Sequence, residues 1–238
     1  MNVVVINGTE IRGCTYEMKK LFLASLGDGH DIIEYYLPKD SPVFCTGCKR
    51  CYEKDISICP HSQYTLPIWE SILKSDLIIM TSPTYVFHAT GQIKALLDHY
   101  GTKWMVHSPE SQLYSKQAVI ITNSIGMGTK NVIKDIQDSL DFWGVAYTYH
   151  ISQALHDIKW NDIDQRLKQK ISAQCNRVAA KIKNTKSVTP RLKIRILFKG
   201  ARFAQNMIHK QQQKKGKPET KDHAYWSEKG WLSGKKPY

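Results

Sequence analysis

No apolar run in the 238 residues approaches the ~20 needed to cross a bilayer, so a spanning helix is excluded. The start of the chain has no basic stretch and no small-residue cleavage site, because Met1-Asn2 runs straight into Val3-Val4-Val5-Ile6. The expectation is a cytoplasmic protein whose thiols stay reduced. Cysteine is sparse, with six residues, four of them between Phe44 and His61. Acidic residues are scarce at one end only. Residues 181–238 hold 16 basic and 3 acidic side chains, whereas residues 1–180 hold 18 of each, so the end of the chain carries the whole net charge of +13. The body is neutral and the tail is the basic object. No internal repeat is present. A hydrophobic content of 42% is ample for a core, which excludes disorder throughout.

What is present alternates. Val3–Ile6, Asp31–Leu37, Leu77–Met80, Ala118–Thr122 and Val145–Ile151 read as strands, and the first and third are apolar enough to be buried on both faces. Between and after them, Thr15–Leu26, Gln63–Lys74, Gly91–His99, Asn131–Phe142 and Asp162–Lys183 read as helices; in the first, Met18, Leu21, Phe22 and Leu26 share one face. Strand–helix alternation implies right-handed crossovers and a parallel sheet covered on both faces. The expected fold class is α/β: a flavodoxin-like, doubly wound five-stranded parallel sheet of order 2-1-3-4-5, with its ligand beyond the strand carboxyl ends. Residues 1–186 are expected to form that domain and residues 187–238 a basic C-terminal helical extension. Within it, Arg191–Lys210 reads as an amphipathic basic helix and Gln211–Pro218 as a polar, mobile link.

Three loops follow strands 1, 3 and 4. Asn7–Gly13 leads into a helix whose first amide groups and positive dipole end suit a phosphate; Thr9 and Thr15 add hydroxyls and Arg12 a matching fork. Strand-to-helix turns of this composition also occur without a ligand. After strand 3, Pro83 stiffens the exit, and Tyr85, Val86 and Phe87 form a flat apolar shelf unless they are ordinary core residues. After strand 4, Thr122–Gly128 supplies small polar groups and two glycines, either as a plain turn or as backbone donors aimed at a planar ring. A phosphate loop, an aromatic shelf and a donor loop at one end of a sheet suit a flavin mononucleotide.

NGTEIRGCTY, SPTYVFHATGQIKALLDHY and TNSIGMGT together resemble the flavodoxin-like NAD(P)H-dependent FMN reductases, in the branch that includes iron–sulfur flavoproteins. The resemblance covers about residues 2–183, and the terminal WSEKGWLSGKKPY resembles the ending of a subset of these flavoproteins. It implies noncovalent FMN, NAD(P)H as co-substrate and a homodimer. It implies that Thr9, Arg12, Gly13, Cys14, Thr15 and Tyr16 surround the FMN phosphate. Pro83, Thr84, Tyr85 and Val86 would meet the isoalloxazine, and Asn123, Ser124, Gly126 and Gly128 its other edge. One departure is that such loops more often begin Gly-Ser-Pro, where this one reads Gly8-Thr9-Glu10.

Cys45, Cys48, Cys51 and Cys59 are spaced C-x2-C-x2-C-x7-C, and Pro60 follows the last. Short four-cysteine spacings hold iron–sulfur clusters, and only one cluster fits here. The iron–sulfur flavoproteins show a compact motif like this in the same loop, which implies a 4Fe–4S cluster. Zinc favours two separated pairs, a disulfide disagrees with the compartment, and an empty motif is the remaining alternative. Cys14 reads as a backbone phosphate contact and Cys175 as a packing residue.

The expected function is hydride transfer from NAD(P)H to FMN, then on to a small quinone-like acceptor, a redox protein or the cluster; the alternative is an electron carrier without turnover. No side chain is assigned as acid or base, and His88 is a candidate for orienting substrate. For the basic tail, an arm across a dimer partner, with Trp226 and Trp231 built to dock, is weighed against peripheral contact with an anionic membrane. Nucleic acid ranks last, since no recognised motif is present.

Overall fold

The computed structural model describes residues 1–238. Five strands, β1 (Asn2–Asn7), β2 (Asp31–Tyr36), β3 (Leu77–Pro83), β4 (Gln117–Ser124) and β5 (Tyr147–Ala154), form one sheet of order β2-β1-β3-β4-β5. Every pairing is parallel. The helices in chain order are α1 (Cys14–Leu26), α2 (Arg50–Glu53), α3 (Ser62–Lys74), α4 (Gly91–His99), α5 (Thr129–Trp143), α6 (Gln165–Asn184), α7 (Leu192–Lys214) and α8 (Lys221–Glu228). The expected sheet and order are present.

Side chains alternate across a strand, and the central strands show the consequence. Val4, Ile6, Ile78, Met80, Ala118 and Ile120 face α3, α4 and α5. Val3, Val5, Leu77, Ile79, Val119 and Ile121 face α1 and α6. Both layers are apolar, which is why these strands read as continuous hydrophobic runs. β2 is one of the two edge strands and its Ile32 and Ile33 stay exposed. It is fastened to α1 by the buried Lys19, whose ammonium contacts the Glu34 carboxylate and Tyr36 hydroxyl.

Gly8 lets α4 close on the exit of β1. A Cβ there would lie 2.7 Å from Ile93 Cγ1 and 2.8 Å from both Thr81 O and Thr90 Oγ1. The sheet order sets the carboxyl ends of β1, β3 and β4 side by side, where they lead to α1, α4 and α5.

The basic tail builds its own small core. Ile194, Phe198 and Ala201 of α7 join Trp226, Trp231, Met105 and Tyr114. Phe198 stacks on Trp226 at 4.9 Å, and Trp226 Nε1 donates to His107 O at 2.9 Å. Arg191 and Lys193 both reach the buried Asp141 carboxylate of α5. Trp226 and Trp231 therefore dock on their own chain and not across a partner, because the segment after α4 offers apolar contacts and free carbonyls. A second correction concerns the expected mobile link from Gln211. Helix α7 runs on to Lys214, since glutamine and lysine favour helix and no breaker intervenes before Gly216.

Candidate functional site

At the carboxyl ends of the strands lies a cavity of about 270 Å³. Nine of the expected site residues line it: Thr9, Gly13, Cys14, Thr15, Pro83, Thr84, Tyr85, Asn123 and Ser124. Helix α1 points its amino end here. Its N-cap Gly13 provides no side-chain cap, so the first-turn amides are left for a ligand. Thr15 Oγ1 donates to Asn123 Oδ1, tying the first turn of α1 to the end of β4. The Cys14 thiol is pushed above its ordinary pKa by burial, with Asp157 adding to it, and its sulfur contacts Ile158 O at 3.5 Å. It is held as a neutral thiol, in keeping with a role for its backbone.

Five expected residues stand outside the lining. Arg12 lies over the Tyr16 ring, 5.4 Å from its centre. Gly128 caps α5 with φ 103°, and a Cβ there would lie 2.6 Å from Thr84 Cγ2. The absence of a side chain there leaves room for Thr84 and Phe87 to pack close to it. Gly126 lies between the exposed Ile125 and Met127. Val86 is 91% exposed at the tip of a tight turn closed by paired bonds between Tyr85 and His88, at 2.9 and 3.0 Å. Val86 and Phe87 take φ values of 48° and 67°, a left-handed conformation that costs non-glycine residues free energy. Asp135 of α5 holds this turn, accepting from Ala89 N and from His88 Nδ1, both at 3.0 Å. The expected flat shelf is thus a strained hairpin lashed to α5, with His88 acting as one of the ties.

Four further residues line the cavity: Ile11 and Ile125, within the loops after β1 and β4, and Asp157 and Ile158, in a loop after β5 that the sequence does not mark. Asp157 accepts from Ile158 N at 2.6 Å and Lys159 N at 3.1 Å, which fixes the loop after β5 as a side wall. Large apolar groups line its mouth, with Ile11, Tyr85, Ile125 and Ile158 all exposed, and Val86, Phe87 and Met127 are exposed on the same loops. An apolar collar around a polar floor suits a flat conjugated ring with a polar edge.

The fit to FMN can be tested on the floor itself. Thr84 Oγ1 and Ser124 Oγ are buried yet make no hydrogen bond within the protein, and both residues line the cavity. Buried hydroxyls without partners are rare. Together with the uncapped α1, they are the donors that a ring edge and a phosphate require, and the residues fit the group.

Cys45, Cys48, Cys51 and Cys59 all line a second, smaller cavity of about 50 Å³, and none is in a disulfide. Gly47 and Lys49 turn the loop through left-handed conformations to bring them there. The Cys51 thiol is raised above its ordinary pKa by burial, then by neighbouring Cys59. His61 and His99, not foreseen, share the cavity, with His61 Nδ1 2.9 Å from His99 Nε2. Cys59, His61 and His99 present their ligand atoms within 4.8 Å of one another. His99 Nδ1 lies 2.8 Å from Ala95 O, and burial lowers its pKa. No residue lines both cavities.

Comparisons with known proteins point the same way. The family model described as NADPH-dependent FMN reductase matches residues 1–156. The comparison with curated proteins gives no match. Among solved structures, the chain is similar to an NADH:FMN oxidoreductase in its apo form (TM-score 0.55, 14% identity, covering 79% of this chain and 94% of that one). It is also similar to an FMN-dependent NADH-azoreductase from Bacillus anthracis in complex with FMN (TM-score 0.56, 13% identity, 77% and 100%). An azoreductase from Bacillus anthracis str. Sterne gives a TM-score of 0.57 at 11% identity, covering 78% and 100%. At these identities the structural likeness speaks for the fold.

Proposed function

The chain belongs to the NADPH-dependent FMN reductase family, and from that premise we propose that it passes electrons from NAD(P)H through FMN to a small, flat, quinone-like acceptor. The observation that carries this reading is the cavity beyond β1, β3 and β4, where two unpartnered hydroxyls and an uncapped helix share an apolar collar. FMN bound there would supply a ring able to accept hydride from nicotinamide and release the electrons to an acceptor. The chain's part is binding and orientation. The amides of Gly13, Cys14 and Thr15 would hold the phosphate, with Arg12 adding positive charge at the mouth. Thr84 and Ser124 would donate to the ring's polar edge, where fixed dipoles favour added negative charge. Tyr85 and the strained Val86-Phe87 turn would cover one side and keep water from the ring.

No side chain needs to move a proton at a reacting atom in this scheme. Two flat reactants take turns on one exposed face, and the collar of Ile11, Ile125 and Ile158 suits both. The same collar suits a second copy of the chain, so the enzyme is proposed to act as a homodimer. Anaerobic mixing of the FMN-loaded protein with NADPH tests the reading. Rapid bleaching of the visible flavin band, reversed by a quinone, supports it. Bleaching only by an added partner reductase would favour the electron carrier.

The cysteine cavity favours a one-electron exit as well. Cys45, Cys48, Cys51 and Cys59 would hold a 4Fe–4S cluster, a reading supported by their convergence on one cavity. Iron and sulfide in equal amounts, on protein isolated without oxygen, are expected. Zinc without sulfide would move the site to a mixed set that includes His61 and His99.

A further inference from the structure

Helix α7 is apolar on two opposite sides, and only one is used by the fold. Ile194, Phe198, Ala201 and Gln205 are buried against the body. Leu192, Ile196, Phe203 and Met207 are exposed at 71%, 58%, 67% and 44%. At 3.6 residues per turn these four fall within an arc of about 60°, roughly opposite the buried four. Lys199, Lys210 and Lys214 stand on or beside the same outward arc, Arg195 flanks it, and all four are exposed. Lys215 and Lys217 continue the positive charge beyond the helix end.

We propose that this outward face of α7 lies on an anionic lipid surface, with Leu192, Ile196, Phe203 and Met207 in the acyl boundary and the lysines among the headgroups. A helix parallel to the interface needs an apolar stripe bordered by cations, on a chain with no spanning segment. The protein has no helix long and apolar enough to cross a membrane. Lysine stems can lie along the stripe while their ammonium groups reach the headgroups. The buried inner face fixes the helix to the body, so its outer face is presented ready folded.

Charge decides among the occupants. Between Asp164 and Glu219 the chain contains no acidic residue. A second copy docked on this face would bring Lys199, Lys210 and Lys214 against like charges with nothing to offset them. A nucleic acid would satisfy the cations but leave Phe203 and Leu192 unused. An anionic bilayer satisfies both, and the whole net charge of +13 resides in this part of the chain.

The test is sedimentation of the full-length protein with vesicles of phosphatidylcholine alone and of phosphatidylcholine with phosphatidylserine. Binding is expected only to the second kind, and it should weaken as salt rises. Leu192→Ser with Phe203→Ser is expected to abolish sedimentation at low salt. Lys199→Glu with Lys210→Glu should lower the apparent affinity by more than tenfold, since each surface cation contributes about a fivefold factor. Both variants leave the inner face intact, and unchanged circular dichroism and flavin content would confirm their folding. Any of four results would overturn the proposal. These are no sedimentation with serine-lipid vesicles at low salt, equal binding to neutral vesicles, and binding indifferent to Phe203. The fourth is conversion of a dimer to a monomer by the Leu192/Phe203 variant.

Discussion

Single residues set the platform on which the site stands. Burial alone would raise the Glu34 carboxyl, but hydrogen bonds from Lys19, Tyr36 and Asn7 outweigh it and hold its pKa below the ordinary value of 4.5. A carboxylate with a lowered folded pKa contributes stability that is complete above its unfolded value and fades as pH falls through the folded one. Lys19→Met should therefore destabilise the protein by about 2 kcal/mol at pH 7, discounted because Glu34 is partly exposed. The gap from wild type should narrow below about pH 4.5, as denaturant unfolding at several pH values would show. Thr84→Val separates a ligand-facing hydroxyl from a structural one. Its hydroxyl is buried without a protein partner, so the flavin-free protein should be unchanged or slightly more stable, while FMN affinity falls about tenfold. Equal loss of stability in both forms would assign the hydroxyl to the fold.

At the scale of elements, the turn at Val86-Phe87 is where local preference and position disagree. Two-residue turns with both residues left-handed favour Asn-Gly, yet this chain places a β-branched and an aromatic residue there. Replacing them together, Val86→Asn with Phe87→Gly, should raise stability by about 1–3 kcal/mol. It should also slow turnover with NADPH, because the cover over the ring is lost. A neutral thermal shift would show that the strain is not stored. The elements themselves are plain in the sequence. Val3–Ile6 and Leu77–Met80 read as strands buried on both faces, and the helix Gly91–His99 starts where Thr90 caps it. The loops after strands 1, 3 and 4 are legible by their glycine, proline and hydroxyl residues, and the family resemblance adds single positions within them such as Cys14 and Thr84, so nine lining residues are foreseen. Asp157 and Ile158 are not, because the loop after β5 has ordinary composition and reaches the site only through the sheet order. His61 and His99 stay hidden for a similar reason: they lie far apart in sequence, and only the packing of α4 on the start of α3 joins them.

At the scale of the whole molecule, the tail is part of the fold as well as a charged extension. Trp226 is fully buried between Phe198 and Trp231 and binds His107 O. Trp226→Ala should cost about 3–5 kcal/mol in global unfolding. Its docking place could not be read from the sequence, since Met105 and Tyr114 are more than a hundred residues distant and carry no mark of a partner. The tail also reaches the cysteine loop, where Lys221 Nζ lies 3.5 Å from Cys51 O and Tyr52 meets the His107 ring edge-on. Helix α4 runs from Thr90, packed beside Gly8 at the exit of β1, to His99 in the cysteine cavity, a span of about 13 Å along its axis.

Titration of the flavin-free protein with FMN, followed by quenching of flavin fluorescence, tests the central claim most directly. Wild type is predicted to bind one FMN per chain, with affinity reduced about tenfold by Thr84→Val and further by adding Ser124→Ala. Absence of saturable binding, or binding indifferent to both substitutions, would contradict the assignment of this cavity to the flavin.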